Sequence, residues 1–109
     1  MAATFELTKS STGKFRFNLL AANKRVVLTS ESYGSRAAAV AGIASVRKNA
    51  ALRERFERRE ARNGKTYFVL LAGNGEVIGQ SQMYAHPTSC YVGIRSVMGN
   101  AAKAGLVEC

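Results

Sequence analysis

The chain has 109 residues, and 16 lysines and arginines against seven acidic residues, all glutamate, give a formal charge of +9. With no aspartate and one histidine it lacks the usual ligands of a tetrahedral metal site, and no apolar run is long enough for a membrane-spanning helix. The length suits one domain spanning 1–109, and the charge fits either an anionic partner or a well-solvated surface.

The start, Met1-Ala2-Ala3-Thr4, leads into Phe5 without the basic segment and apolar run of a secretory signal. Residues 5–9 read as a short strand, and the Ser10-Ser11-Thr12-Gly13 cluster after it has turn chemistry. Residues 14–21 form the strongest predicted strand, because Phe15, Phe17, Leu19 and Ala21 alternate with Lys14, Arg16 and Asn18. Ala22-Asn23-Lys24 turns into a third strand at 26–30, so the unit opens as an antiparallel meander.

Ser35 stands where an N-cap is needed, and a helix is predicted over 36–49. Ala39, Ile43, Val46 and Ala50 share one face of it, the spacing of a helix laid on a sheet. Gly42 within that helix points to a close approach of neighbouring backbone, and Arg47 and Lys48 suit the negative end of the helix dipole.

The pattern then begins again. Between residues 5–50 and 56–101 the gapless alignment has 18 identities in 46 positions, against about three expected from average composition. The chain is a tandem repeat, about 4–52 and 53–109, whose halves are too small to bury a core alone. The second meander is predicted at 56–60, 65–72 and 76–80, with Asn-Gly pairs in both joins. Tyr67, Val69 and Leu71 occupy the face that carries Arg16, Asn18 and Leu20 in the first copy, a face expected to be covered or to serve as a contact patch. In the second helix His86 falls at the cap and Pro87 at the first helical position, while Cys90, Ile94, Val97 and Ala101 repeat the buried face. Phe5-Glu6, already repeated as Phe56-Glu57, recurs at the tail as Val107-Glu108, which predicts a final strand.

The candidate sites are few. His86 reads as a helix cap; paired with Ser89 it lacks the third group that a nucleophile and base need. The glycines match neither the P-loop nor the dinucleotide pattern. Cys90 reads as a small buried apolar residue, and Cys90 and Cys109 together read as free thiols of a reducing cytoplasm. Arg53, Arg55, Arg58, Arg59, Arg62 and Lys65 form the densest basic run, interrupted by Glu54, Glu57 and Glu60. It is either a salt-bridged exposed strand or, with Lys14 and Arg16, a phosphate-contacting strip.

Phe5-Glu6-Leu7, Gly13-Lys14-Phe15-Arg16-Phe17, Leu28-Thr29-Ser30-Glu31, Gly42-Ile43-Ala44-Ser45-Val46, Asn63-Gly64-Lys65 and Ser81-Gln82-Met83-Tyr84 together resemble the bacterial YegP-like family across nearly the whole chain. The resemblance implies an α+β fold in which two three-strand-plus-helix units form a single antiparallel sheet with two helices and exchange their terminal strands. It implies no activity, since the family is one of unknown function. The chain departs from the family pattern at His86-Pro87-Thr88 and at its tail, Leu106-Val107-Glu108-Cys109. The function expected is that of a cytoplasmic, non-catalytic module without cofactor or metal. It is expected to be monomeric because the joined copies satisfy their own two-fold pairing. Its expected partner is an anion, nucleic acid bound through phosphates without reading sequence; a structural or protein-interaction role is the alternative.

Overall fold

The computed structural model describes residues 3–108. In chain order it contains β1 (Thr4–Lys9), β2 (Phe15–Leu20), β3 (Val26–Ser30), α1 (Arg36–Asn49), a 3-10 turn (Arg53–Arg55), β4 (Phe56–Glu60), β5 (Thr66–Leu71), β6 (Val77–Gln80), α2 (Pro87–Asn100) and β7 (Gly105–Glu108). The predicted bounds of β3, α1 and β4 match, those of β1 and β6 differ by one residue at one end, and those of β2 and β5 by one residue at each end. The hairpins turn through left-handed residues, Gly13, Gly64 and Gly75. Lys24 holds φ 68° at the place where the second copy has Gly75, a conformation that favours glycine.

The seven strands form one sheet in the order β4-β5-β6-β3-β2-β1-β7. The two meanders join where Thr29 pairs with Gln80 and Ser30 with Gly79, antiparallel. Both helices contribute to one core, with Phe5, Phe17, Leu19 and Leu28 from the first sheet half, Phe68, Leu70 and Ile78 from the second, and Ile43, Val46, Ile94 and Val97 from the helices. Each helix also crosses the join: α1 packs on β2 and on β5 and β6, and α2 on β5 and on β3.

The antiparallel sheet read from the sequence holds for six strands, and β7 makes it mixed by pairing parallel to β1. The pseudo-two-fold fixes that direction. β4 follows α1 and opens the second unit, so the symmetry gives β1 and β7 the same sense as its two images. The exchange of terminal strands is realised at one end: β7 leaves the second unit to pair with β1, whereas β4 pairs with β5 inside its own unit. The register sets Leu106 beside Phe5 and Val107 beside Glu6, so Val107 faces away from the core, one residue out of step with the repeat numbering.

Several identities between the copies acquire the same physical role twice. Ser30 and Ser81 are buried; their hydroxyls accept from the amides of Phe17 and Phe68 at 2.9 Å and donate to the carbonyls of Glu31 and Gln82. Tyr33 stacks on Phe17, and Tyr84 on Phe68. Each tyrosine lies against the helical glycine of its own unit, so that an ideal Cβ at Gly42 would sit 2.6 Å from Tyr33 Cζ, and one at Gly93 would sit 2.9 Å from Tyr84 Cζ. Asn49 and Asn100 donate to the carbonyls of Ser45 and Ser96.

Ser35 caps α1 as its position predicts, accepting from Ala38 N at 3.1 Å. His86 does not cap α2 with its side chain: it holds an extended N-cap backbone and makes no side-chain cap hydrogen bond. A cap serves the N–H of the second or third helical residue, here Thr88 or Ser89, so Pro87 removes none of these; its fixed φ suits the helix start. On the sheet face away from the helices, no helix or strand among the described residues covers Tyr67, Val69 and Leu71. Val69 nevertheless is 1 % exposed, with Glu57 and Gln80 as its cross-strand partners.

Two substitutions test this packing. Gly42→Ala improves helix propensity by about 1 kcal/mol, yet the crowding against Tyr33 should outweigh it and lower stability by about 1–3 kcal/mol. Tyr33→Ala in the same chain should remove that added cost, and additive losses in a double-mutant cycle would show that the contact is not the cause. Deleting residues 106–109 removes β7 and the ion pair of Glu108 with Arg36. Each ~1 kcal/mol lost should lower the unfolding midpoint by about 4–8 °C. An unchanged midpoint would show β7 to be idle.

Candidate anion-binding surface

β4 is the free edge opposite β7. Its alternation sends Phe56, Arg58 and Glu60 to the helix side and Glu57 and Arg59 to the open face. Arg59 Nε meets Glu57 Oε1 at 3.0 Å, an exposed pair of little energetic weight. Arg58 instead lies over the ring of Tyr91 on α2, with Cζ 4.9 Å from the ring centroid. Arg53, from the 3-10 turn, reaches the same ring at 5.6 Å. Neither guanidinium has a carboxylate partner among the described residues.

Phe56 and Ile94 complete the walls of a hollow of about 230 Å³ beside these three residues. Each cation over an aromatic face gains about 0.5–1 kcal/mol at an exposed site, but two cations over one ring also repel each other. An anion entering the hollow relieves that repulsion and gains from both charges.

The other predicted residues lie elsewhere. Arg55 is half-buried and its Nε has no partner; it lines a separate hollow of about 560 Å³ with Lys48, Asn49, Gly73 and Asn74. Arg62 and Lys65 are exposed at the β4–β5 hairpin, where the Lys65 amide donates to Asn63 Oδ1 at 3.0 Å. Lys14 and Arg16 border a third hollow beside the β1–β2 hairpin, with Arg16 donating to Ser32 Oγ at 3.0 Å. Because β3 and β6 are antiparallel, the two hairpins project from opposite ends of the sheet. The eight basic residues therefore form several groups, not one strip, and Arg53 and Arg58 are the two that converge on one aromatic ring.

Tyr91 is the member that the basic run does not reveal. A signal for it exists in the repeat: Arg58 replaces Leu7 and Tyr91 replaces Val40, two departures from the copy at positions that meet in space.

Cys90 precedes Tyr91 and is fully buried. Burial pushes its thiol up, and the positive charge of Arg58 opposes this only in part. The thiol therefore stays protonated past the usual cysteine range, as suits a packing residue. Cys109 lies outside the described residues. In a Cys109→Ser chain, an aromatic disulfide reagent at pH 8 should leave Cys90 unlabelled until denaturant is added; prompt labelling would mark it as a reactive thiol. Among the described residues no cluster of three potential metal ligands occurs, and no helix is long and apolar enough to cross a membrane.

Comparison with known proteins gives a consistent picture. The chain matches a domain of unknown function, DUF1508, twice, over residues 10–57 and 61–108. It is 49 % identical over 108 residues to a UPF0339 protein of Pseudomonas aeruginosa, covering 99 % of this chain and 98 % of that one. It is 53 % identical over 100 residues to the UPF0339 protein YegP of Escherichia coli K12, covering 92 % and 91 %. The solution NMR structure of yegP from E. coli, described as a protein of unknown function, superposes with a TM-score of 0.93 at 49 % identity, covering 99 % of this chain and 93 % of that one.

Proposed function

The chain belongs to the DUF1508 family of YegP-like UPF0339 proteins, and from the geometry of its β4 side we propose that it is a non-catalytic module that binds an anionic partner. The observation that carries this reading is the pair of guanidiniums, Arg53 and Arg58, held over Tyr91 without a carboxylate of their own among the described residues. The +9 charge draws anions from a distance. Nucleic acid held by its phosphates fits this chemistry and needs no base-reading element. A protein partner is the second reading, favoured by the free β4 edge. The setting proposed is the cytoplasm, with the chain acting as a monomer.

Fluorescence anisotropy with random single- and double-stranded oligonucleotides and with polyglutamate, across a salt series, tests the proposal. For duplex DNA the logarithmic salt slope should be about −0.9 per phosphate contacted. Replacing Arg53 and Arg58 with glutamine should weaken every polyanion about equally and flatten that slope, whereas Arg59→Gln should change little. Wild-type binding by the double variant would remove the site, and no salt-dependent binding of any polyanion at tens of micromolar protein would remove the function.

A further inference from the structure

The two outer edges of the sheet are not equivalent: the β1 edge has a strand laid along it, and the corresponding edge of β4 has none. On β1, β7 runs parallel with Leu106 beside Phe5 and Glu108 beside Leu7. The repeat offset of 51 (56 − 5) converts Phe5 and Leu7 into Phe56 and Arg58. The hollow of about 230 Å³ is lined there by Phe56, Arg58, Tyr91 and Ile94, counterparts of Phe5, Leu7, Val40 and Ile43. It lies on the helix side of the edge, the side on which Leu106 stands beside Phe5.

We infer that the β4 edge takes an extended segment of another polypeptide as an eighth strand, parallel to β4, with an apolar side chain beside Phe56 and a carboxylate two residues later beside Arg58. This rests on the anion reading above and makes the anion a peptide carboxylate. Charge placement supports it. Glu108 of β7 is held by Arg36 at the start of α1, with Nε contacts of 2.9 and 3.0 Å. In the second unit Pro87 stands in the place of Arg36, and the cation is found on the strand as Arg58, in the place of Leu7. An acidic residue at the register of Glu108 would therefore meet a guanidinium on either edge. The backbone selects in the same direction: a free strand edge offers alternating N–H and C=O groups, which another main chain satisfies and a phosphate chain, having acceptors only, does not. The chain's own tail is already engaged at β1, which leaves the β4 edge to a partner.

The probe is a dye-labelled heptapeptide with the sequence of residues 102–108, Ala-Lys-Ala-Gly-Leu-Val-Glu, titrated against the full chain. Binding is followed by anisotropy and by ¹H–¹⁵N amide shifts. Saturable binding with the largest shifts on residues 56–60 is expected. Changing the peptide glutamate to lysine should weaken it about tenfold, and Arg58→Glu in the protein should reverse that preference. Arg58→Gln, milder and exposed, should abolish the preference without reversing it, and thermal melts confirm that both variants fold. Equal binding of the reversed-sequence peptide, or shifts away from β4, would overturn strand addition. Salt-dependent oligonucleotide binding without peptide binding would overturn it while leaving the anion reading intact; failure of oligonucleotide, polyglutamate and peptide alike would end both. A concentration-dependent dimer of the protein alone, lost on Arg58→Glu, would assign the edge to a second copy and overturn the proposal.

Discussion

The two meanders become one sheet across a seam of two residue pairs, and the seam depends on one of the positions at which the copies differ. Leu28 and Gly79 are the same position in the two copies. Leu28 is fully buried, and an ideal Cβ on Gly79 would stand 2.7 Å from Leu28 Cδ2. Leucine in both copies would overfill the join, and glycine in both would forfeit the roughly 1.5–3 kcal/mol that one buried leucine contributes. The large-and-small pair lets the backbones of β3 and β6 pair, and this in turn brings each helix across onto strands of the other unit.

The residues shared by the copies are thereby accounted for as parts of a folding unit. The buried serines, the tyrosines against helical glycines and the helix-end asparagines each repeat a local hydrogen bond or contact. None of these pairs assembles an exposed constellation. The converging cations sit instead where the copies differ, Arg58 against Leu7 and Tyr91 against Val40. The scaffold is what the copies share, and the arginine–tyrosine cluster is built where one copy departs from the other.

This division explains what the sequence discloses. Period-two and helical spacing, the Ser35 cap and the gapless offset are local signals, and β3, α1 and β4 follow from them to the residue. The parallel sense of β7 is not local, because it comes from the pseudo-two-fold acting on a strand with two symmetry images. Nor is the grouping of the basic residues: adjacency in the run from Arg53 to Lys65 says nothing of opposite sheet faces or of an aromatic ring 33 residues beyond Arg58 on α2. His86 shows the limit of a positional rule, since the cap backbone is present and the side-chain bond is absent. Arg47 shows the reach of a long side chain. Its position suits the dipole of α1, yet its guanidinium lies 4.9 Å over Phe5 and donates to the carbonyls of Ala101, Ala102 and Ala104 at the end of the other helix.

That last contact ties the chain's beginning to its end through one side chain from its middle. During synthesis the chain emerges from its N-terminus at about 5–20 residues per second, so Phe5 and Arg47 are in place well before any of the three carbonyls exists. The outer edge of β1 stays bare over the same interval, because its covering strand β7 follows α2 in the chain. The nascent first half thus carries an open strand edge and a cation still without its carbonyl partners, and both are closed together once residues 101–108 have been made.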